Sequence, residues 1–213
     1  MKEYTVKGLV DEFSKKIQQS SLSHFFEIGC FSAEFSKRLS KESDCKITAF
    51  EANPYNYKRF KDSIEAAGIN FIHSAISNIN DSLTFKIQNG KEEDGNNSLL
   101  KREKSPKKGY TEVSVNCSKL DEYYSDDIKS AALWIDAEGV GHEVLEGAQS
   151  ILEKTKYVFI EVEEIRYWKN QKLDSDIISF MRSKGFEPIA RDREYKHQYN
   201  IIFEKNECNK PQI

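Results

Sequence analysis

A mostly parallel α/β sheet with helices on both faces and a closing antiparallel hairpin is the fold this sequence predicts. Three observations predict it. Short apolar runs alternate with helical patterns through HFFEI (24–28), KITAF (46–50) and NFIHSAI (70–76), and again through AALWID (131–136) and YVFIEVE (157–163). That rhythm is the signature of βαβ units. The last two runs, FEPIA (186–190) and YNIIFEK (199–205), are joined only by the charged RDREYKHQ, so they read as a hairpin and not as another crossover. Finally, 213 residues with 38% hydrophobic and 31% charged content suffice for a substantial core, and we read residues 1–213 as one domain.

Along the chain, Val6, Leu9, Val10, Phe13 and Ile17 recur at helical spacing. They predict an amphipathic opening helix, an extension over residues 1–22, lying over the edge of the sheet. Helices are predicted from about Ser32, from about Tyr55, over 142–154, and from about Ser175 to Lys184, where Ile177, Ile178 and Met181 share a face. Between residues 78 and 130 the rhythm breaks. DSLTFKIQNG, GNNSLLKREKSPKKG and TEVSVNCSKL read as short strands and loops, an insertion expected to border the acceptor site. Five parallel strands plus the hairpin make a seven-stranded sheet, the pattern used by S-adenosylmethionine methyltransferases, whereas a dinucleotide dehydrogenase more often ends on a sixth parallel strand.

The formal charge of −3 names no partner. The one dense basic cluster, KREKSPKKG (101–109), is short and broken by Pro and Gly, so it reads as a solvated loop and no nucleic-acid partner is expected. The start of the chain lacks the apolar core of a signal peptide, and no segment approaches the ~20 apolar residues of a membrane span. A cytoplasmic protein is expected. Cys30, Cys45, Cys117 and Cys208 are scattered without a CxxC pair, which suits reduced thiols and suggests neither a zinc site nor disulfides.

In such a sheet the ligand sits beyond the carboxyl ends of the strands. The first turn there reads G-C-F-S-A-E from Gly29. The glycine is expected to let the backbone approach a ligand without an intervening Cβ. A pyrophosphate would call for G-x-G-x-x-G, and Ala33 stands where a further glycine would help. Glu27 beside the turn would repel a diphosphate and attract a ligand bearing ammonium and sulfonium charges, although capping a strand end is an equal reading of it. Glu51, about twenty residues beyond Gly29, stands where an acid accepts hydrogen bonds from ribose hydroxyls. Ala75 and Ile76, in HSAIS, are placed to wall an adenine, while His73 reads as an ordinary strand residue.

FEIGCFSAEFS, AFEANPYNYKRF, HSAIS, SKLDEYY, WIDAEGVGHEVLEGAQSIL and YVFIEVE occur in that order over residues 24–163. In that order the chain resembles the FkbM-type S-adenosylmethionine-dependent methyltransferases. The resemblance implies a Rossmann-like class I methyltransferase fold and an O-methyltransferase acting on hydroxyls of sugars in surface polysaccharides or of glycosylated and polyketide natural products. Carried over by position, Glu27 and Gly29 would contact the methionine end, with Cys30 and Phe31 beside them. Glu51 would hold the ribose, flanked by Ala52 and Asn53, with Ala75 and Ile76 near the adenine and Asp136 at the reaction centre. The family usually has Asp at position 27, glycine at 33 and often an acid at 141, where this chain has Glu27, Ala33 and Gly141.

Methyl transfer to a hydroxyl needs alignment of the acceptor oxygen and removal of its proton, by a base or through a metal ion. Asp136 and Glu138 lie just past the fourth strand and Glu161 and Glu163 at the end of the fifth. A metal-free route would use Asp136 or His142 as base, with Glu138 beside them. A metal route would gather Mg²⁺ or Mn²⁺ on Asp136, Glu161 and Glu163. Tyr167 and Trp168 could wall a sugar face, and the amide and hydroxyl groups of GNNSLLKR suit sugar hydroxyls. The acceptor is thus expected to be a small molecule or glycan. Two other classes fit parts of the pattern, a noncatalytic nucleoside-binding module and an NAD-linked oxidoreductase. The sequence leaves the oligomeric state open.

Overall fold

The computed structural model describes residues 1–193 and 195–206. The first central strand, β2 (His24–Ile28), is buried at all five positions, as expected for a parallel strand covered on both faces. It follows a two-residue edge strand β1 (Lys2–Glu3) and helix α1 (Val6–Gln18), which Thr5 caps by accepting the Gly8 N–H at 3.1 Å. Beyond β2 come α2 (Glu34–Glu42), β3 (Lys46–Glu51) and α3 (Pro54–Glu65). Asn53 caps α3 through the Tyr55 N–H, and Pro54 occupies its first turn, where no amide donor is missed.

The run NFIHSAI was expected to form one strand and forms two. β4 (Asn70–His73) pairs with β3, whereas β5 (Ala75–Ile76) pairs with β7 (Tyr110–Ser118), itself antiparallel to β6 (Asp81–Gln88). The break falls at Ser74, whose hydroxyl donates to the carbonyls of Ala75 and Asn116. The insertion therefore builds a separate three-stranded sheet, β5-β7-β6, around Ala75, Phe85, Ile87, Val115 and Cys117.

After a short 3-10 turn (Leu120–Tyr123) the alternation resumes with β8 (Ala131–Ile135), helices α4 (Gly141–Glu146) and α5 (Gln149–Lys154), β9 (Thr155–Glu163) and α6 (Asp174–Ser183). It ends with the hairpin β10 (Phe186–Arg191) and β11 (Gln198–Lys205). The helix expected over 142–154 is broken at Gly147, where a Cβ would lie 2.0 Å from the Ser77 carbonyl oxygen. Asp121 stands at the break and accepts the N–H groups of Ser150 and Ile151 at 2.9 and 3.0 Å. Asp121→Ala should cost about 1–2 kcal/mol and lower the melting temperature by roughly 2–8 °C, as read by thermal unfolding. An unchanged melting temperature would remove this cap from the account.

The main sheet runs β1-β10-β11-β9-β8-β2-β3-β4. Its central strands are parallel, and β11 is antiparallel to both β9 and β10. The edge strand β1 pairs with β10, which makes eight strands instead of the expected seven. Alternation sends Phe26, Ile28, Leu133 and Ile160 to a core shared with α4, α5 and α6, and Phe25, Ile47, Ala132 and Phe159 to the opposite core. The Phe13 ring of α1 packs with its centroid 5.3 Å from that of Phe159 and, edge-on, 5.9 Å from that of Trp134, so this helix covers the middle of the sheet and not its edge.

Cys30, Cys45 and Cys117 are free thiols, and Cys208 lies outside the described residues. The lysines of the basic cluster are exposed, as expected of a solvated loop, while its start is held by backbone contacts and by Arg102. Lys101 and Glu103 exchange backbone hydrogen bonds with Lys169 and Tyr167, and the Arg102 guanidinium lies 4.3 Å over the Trp168 ring. Among the described residues no helix is long and apolar enough to cross a membrane.

Candidate active site

Parallel strands bring their carboxyl ends to one edge, and there the tips of β2, β3, β8 and β9 surround a cavity of about 710 Å³. Gly29, after β2, has φ +74°, and a Cβ on it would lie 2.0 Å from the Asp136 carbonyl oxygen. The glycine was expected to make room for a ligand. The structure shows that it makes room for the turn after β8. Phe31 and Ala33 also adopt left-handed conformations, φ +49° and +52°, so Ala33 carries a backbone geometry that favours glycine.

Glu51 joins the two turns on either side of it. One carboxylate oxygen accepts the Asn53 N–H at 2.7 Å and the other the Phe31 N–H at 2.9 Å. Burial raises its pKa to about 7 against the pull of those hydrogen bonds, and the Asp136 charge adds to the rise. Ala52, Ala75, Ile76, Phe31 and Gly29 line the same cavity. Asn53 does not. Its side chain is committed to capping α3 and to the Glu92 carbonyl. His73 stacks on Tyr57 with ring centroids 4.7 Å apart, an ordinary packing role.

Glu27 and Cys30 open onto a smaller neighbouring cleft. One oxygen of Glu27 accepts both the N–H and the hydroxyl of Ser36 in α2. Burial outweighs these bonds and raises its pKa to about 7.

At the tips of β8 and β9, Asp136, Glu138 and Glu161 each offer an oxygen within 4.8 Å of the others. Glu163, expected with them, instead accepts the Gln171 amide at 2.6 Å. A loop residue beyond the fifth strand has claimed it, so Glu138 takes its place in the cluster. Burial, followed by the charges of Asp136 and Glu163, raises Glu138 to about 8 despite the opposing effect of Arg102. Burial and the neighbouring carboxylates push Glu161 well up, and burial and Asp136 bring Glu163 to about 7.

These groups hold protons in the folded chain that the unfolded chain, at the ordinary 4.5, has released. Their contribution to stability is present in full below pH 4.5 and is lost as pH rises through about 7 to 8. The ligand-free protein should therefore melt at progressively lower temperature from about pH 5.5 to 8.5, and a cationic ligand should reverse the trend. A melting temperature that rises over that interval would contradict the assignment of these carboxylates.

His142 is not brought to the cavity. It begins α4, and its ring packs edge-on against Phe180 of α6 at 5.2 Å, beside Glu146. Trp168 is also turned away, buried beneath Arg102 with its ring 2.7 Å from the Cβ position of Gly139, while Tyr167 does line the cavity. The insertion borders the cavity through Gly95, Asn96, Asn97, Ser98 and Leu99, as expected, although several of its polar groups are also engaged by protein partners. Asn97 accepts the Gln88 N–H and donates to the Lys91 and Asp94 carbonyls, Asn96 accepts from Arg102, and Ser98 donates to the Glu138 carbonyl at 2.5 Å. Sequence reasoning missed Tyr195, Lys196 and Gln198, which reach the cavity from the hairpin connection. A charged eight-residue link carries no periodic signal that would have found them.

The family profile of the methyltransferase FkbM domain matches residues 26–188. A search of curated protein sequences found no match. Among solved structures, the fold is similar to an S-adenosylmethionine-dependent methyltransferase from Clostridium acetobutylicum, with TM-score 0.52 and 7% identity over 95% of this chain and 93% of that one. It is also similar to magnesium protoporphyrin IX methyltransferase from Synechocystis with bound S-adenosylmethionine (TM-score 0.52, 7% identity, 93% of this chain and 78% of that one). Precorrin-6y C5,15-methyltransferase from Geobacter metallireducens gives TM-score 0.50 at 13% identity, covering 95% and 94%.

Proposed function

The chain belongs to the FkbM methyltransferase family, and from that premise we propose that it methylates a hydroxyl of a sugar or glycosylated small molecule, with S-adenosylmethionine as donor. The observation that carries the hydroxyl reading is the carboxylate cluster at the tips of β8 and β9, where Glu138 holds its proton up to about 8. A base of that strength is matched to working pH and can take the proton of a weakly acidic hydroxyl.

The strand-tip half of the cavity fits the donor. Glu51 has acceptor capacity left on both oxygens for ribose hydroxyls, and Ala75 and Ile76 offer an apolar wall. A buried group of carboxylates with raised pKa values favours a positively charged ligand. When bound, the donor supplies an electrophilic methyl group and a neutral thioether leaving group. Asp136, bordering both clefts, stands between the donor half and the acceptor half, and Glu138 receives the acceptor's proton on its carboxylate. The products are the methyl ether, S-adenosylhomocysteine and that proton.

The separation of Asp136, Glu138 and Glu161 supports a second route to the same chemistry. These three would hold Mg²⁺ or Mn²⁺, which favour oxygen ligands and would lower the hydroxyl pKa. Release of S-adenosylhomocysteine across a panel of nucleotide-activated sugars and glycosides, with EDTA or with added Mg²⁺, tests both. Turnover only with nitrogen or carbon acceptors would overturn the hydroxyl reading, and undiminished turnover in EDTA would remove the metal.

A further inference from the structure

Charge is divided unevenly around the main cavity. Its strand-tip side carries Glu51, Asp136, Glu138 and Glu161, whereas Lys196 is the one cation among the described residues that line it. Lys196 stands exposed on the link between β10 and β11. The Tyr195 N–H donates to the Gln198 carbonyl at 3.0 Å and closes the link around Lys196 and His197. The neighbouring basic groups are each claimed by a carboxylate, Arg191 and Arg193 by Glu3 and His197 by Glu164. Among the described residues Lys196 has neither an ion pair nor a hydrogen bond.

Tyr167 brings a second basic segment to the same cavity. Its carbonyl accepts the Glu103 N–H at 2.9 Å, and the Lys169 N–H donates to the Lys101 carbonyl at 2.8 Å. The fold thus lays KREK (101–104) along RYWK (166–169), where Lys104 and Lys169 are exposed and without an ion pair among the described residues. Solvated lysines need no partner, but these gather at the opening of a cavity whose carboxylates repel anions, so a negative group can be held only outside them.

Resting on the sugar-hydroxyl reading, we propose that the acceptor carries an anionic group, a phosphate or a carboxylate, which stays at the mouth on Lys196 while a neutral hydroxyl end enters toward Glu138. Tyr195, 64% exposed, and Tyr167 flank that path with aromatic rings suited to the apolar face of a sugar. Lys104 and Lys169 add to the positive potential at the mouth and draw the acceptor in by its charged end.

Matched acceptors test this through their KM values for release of S-adenosylhomocysteine. The set comprises neutral hexoses, the same hexoses as their phosphates, and the corresponding uronic acids. An anionic member should have a KM about five- to thirtyfold below that of its neutral counterpart, between the worth of an exposed and of a desolvated charge contact. The phosphate and uronate arms identify which anion is read. The advantage should shrink as NaCl is raised from about 50 to about 500 mM. Lys196→Met should bring the paired KM values to within about twofold by raising the anionic one, and Lys196→Arg should keep most of the difference.

Neutral sugars used as well as their charged counterparts, or an advantage that survives Lys196→Met, overturns the proposal. So does methylation of short oligoribonucleotides with the whole sugar set inert, which would assign the positive surface to nucleic acid. Turnover only with nitrogen or carbon acceptors would instead overturn the hydroxyl reading on which the proposal rests.

Discussion

Glu51→Ala is expected to weaken S-adenosylmethionine binding about a hundredfold or more, the sum of two charge-assisted hydrogen bonds to ribose hydroxyls. The carboxylate is fastened on its protein side by the Phe31 and Asn53 N–H groups, so its cavity side is oriented before any ligand arrives. Glu51→Gln should fall between wild type and alanine. An amide has one acceptor oxygen and one NH₂ group, so one of the two backbone donors would face another donor at a position only 7% exposed. Methylthioadenosine, which keeps the ribose, should lose affinity to the same degree. Calorimetry on both ligands measures this, and an affinity within twofold of wild type in the alanine variant would end the nucleoside assignment.

Glu138→Gln should lower kcat by roughly 10²- to 10⁴-fold, the usual worth of a positioned base, with little change in KM for the donor. Wild-type activity should climb with pH through about 8, as Glu138 loses its proton, and the variant's residual activity should lack that climb. Glu163→Gln provides the discriminating comparison. The Glu163 charge helps to hold Glu138 up, so its removal should shift the climb to lower pH while preserving the plateau rate. Glutamine also retains an acceptor for Gln171. A Glu138→Gln enzyme with wild-type kcat and an unaltered pH profile would transfer the base role elsewhere.

Much of this molecule could be read from local pattern. The runs at 24–28, 46–50, 131–136 and 157–163 appear as β2, β3, β8 and β9 with boundaries within about two residues of those expected, because a strand buried on both faces announces itself by an unbroken apolar run. The acids at their ends followed with them. The two breaks that were missed, at Ser74 and Gly147, are both made by partners from the insertion or its borders. Ser74 bonds to Asn116, and Gly147 is pressed against Ser77 while its carbonyl accepts the Asp121 N–H. Apolar periodicity continues through both positions and cannot register a contact with a distant segment.

The candidate site divides along the same line. By itself the sequence determined which acids stand at the carboxyl edge, since a parallel sheet delivers every strand's end to one side. It also determined that Glu51 follows the glycine turn by the spacing a nucleoside site uses. Only the tertiary structure decided what each group does there. Glu163 is taken by Gln171, His142 turns to Phe180, and Gly29 accommodates Asp136. Strand alternation specifies a face and nothing beyond it. Which neighbour a polar group finds past the strand tip depends on the paths of loops such as those carrying Ser98 and Lys196, and those paths are set by long-range packing and hydrogen bonding that leave no period in the chain.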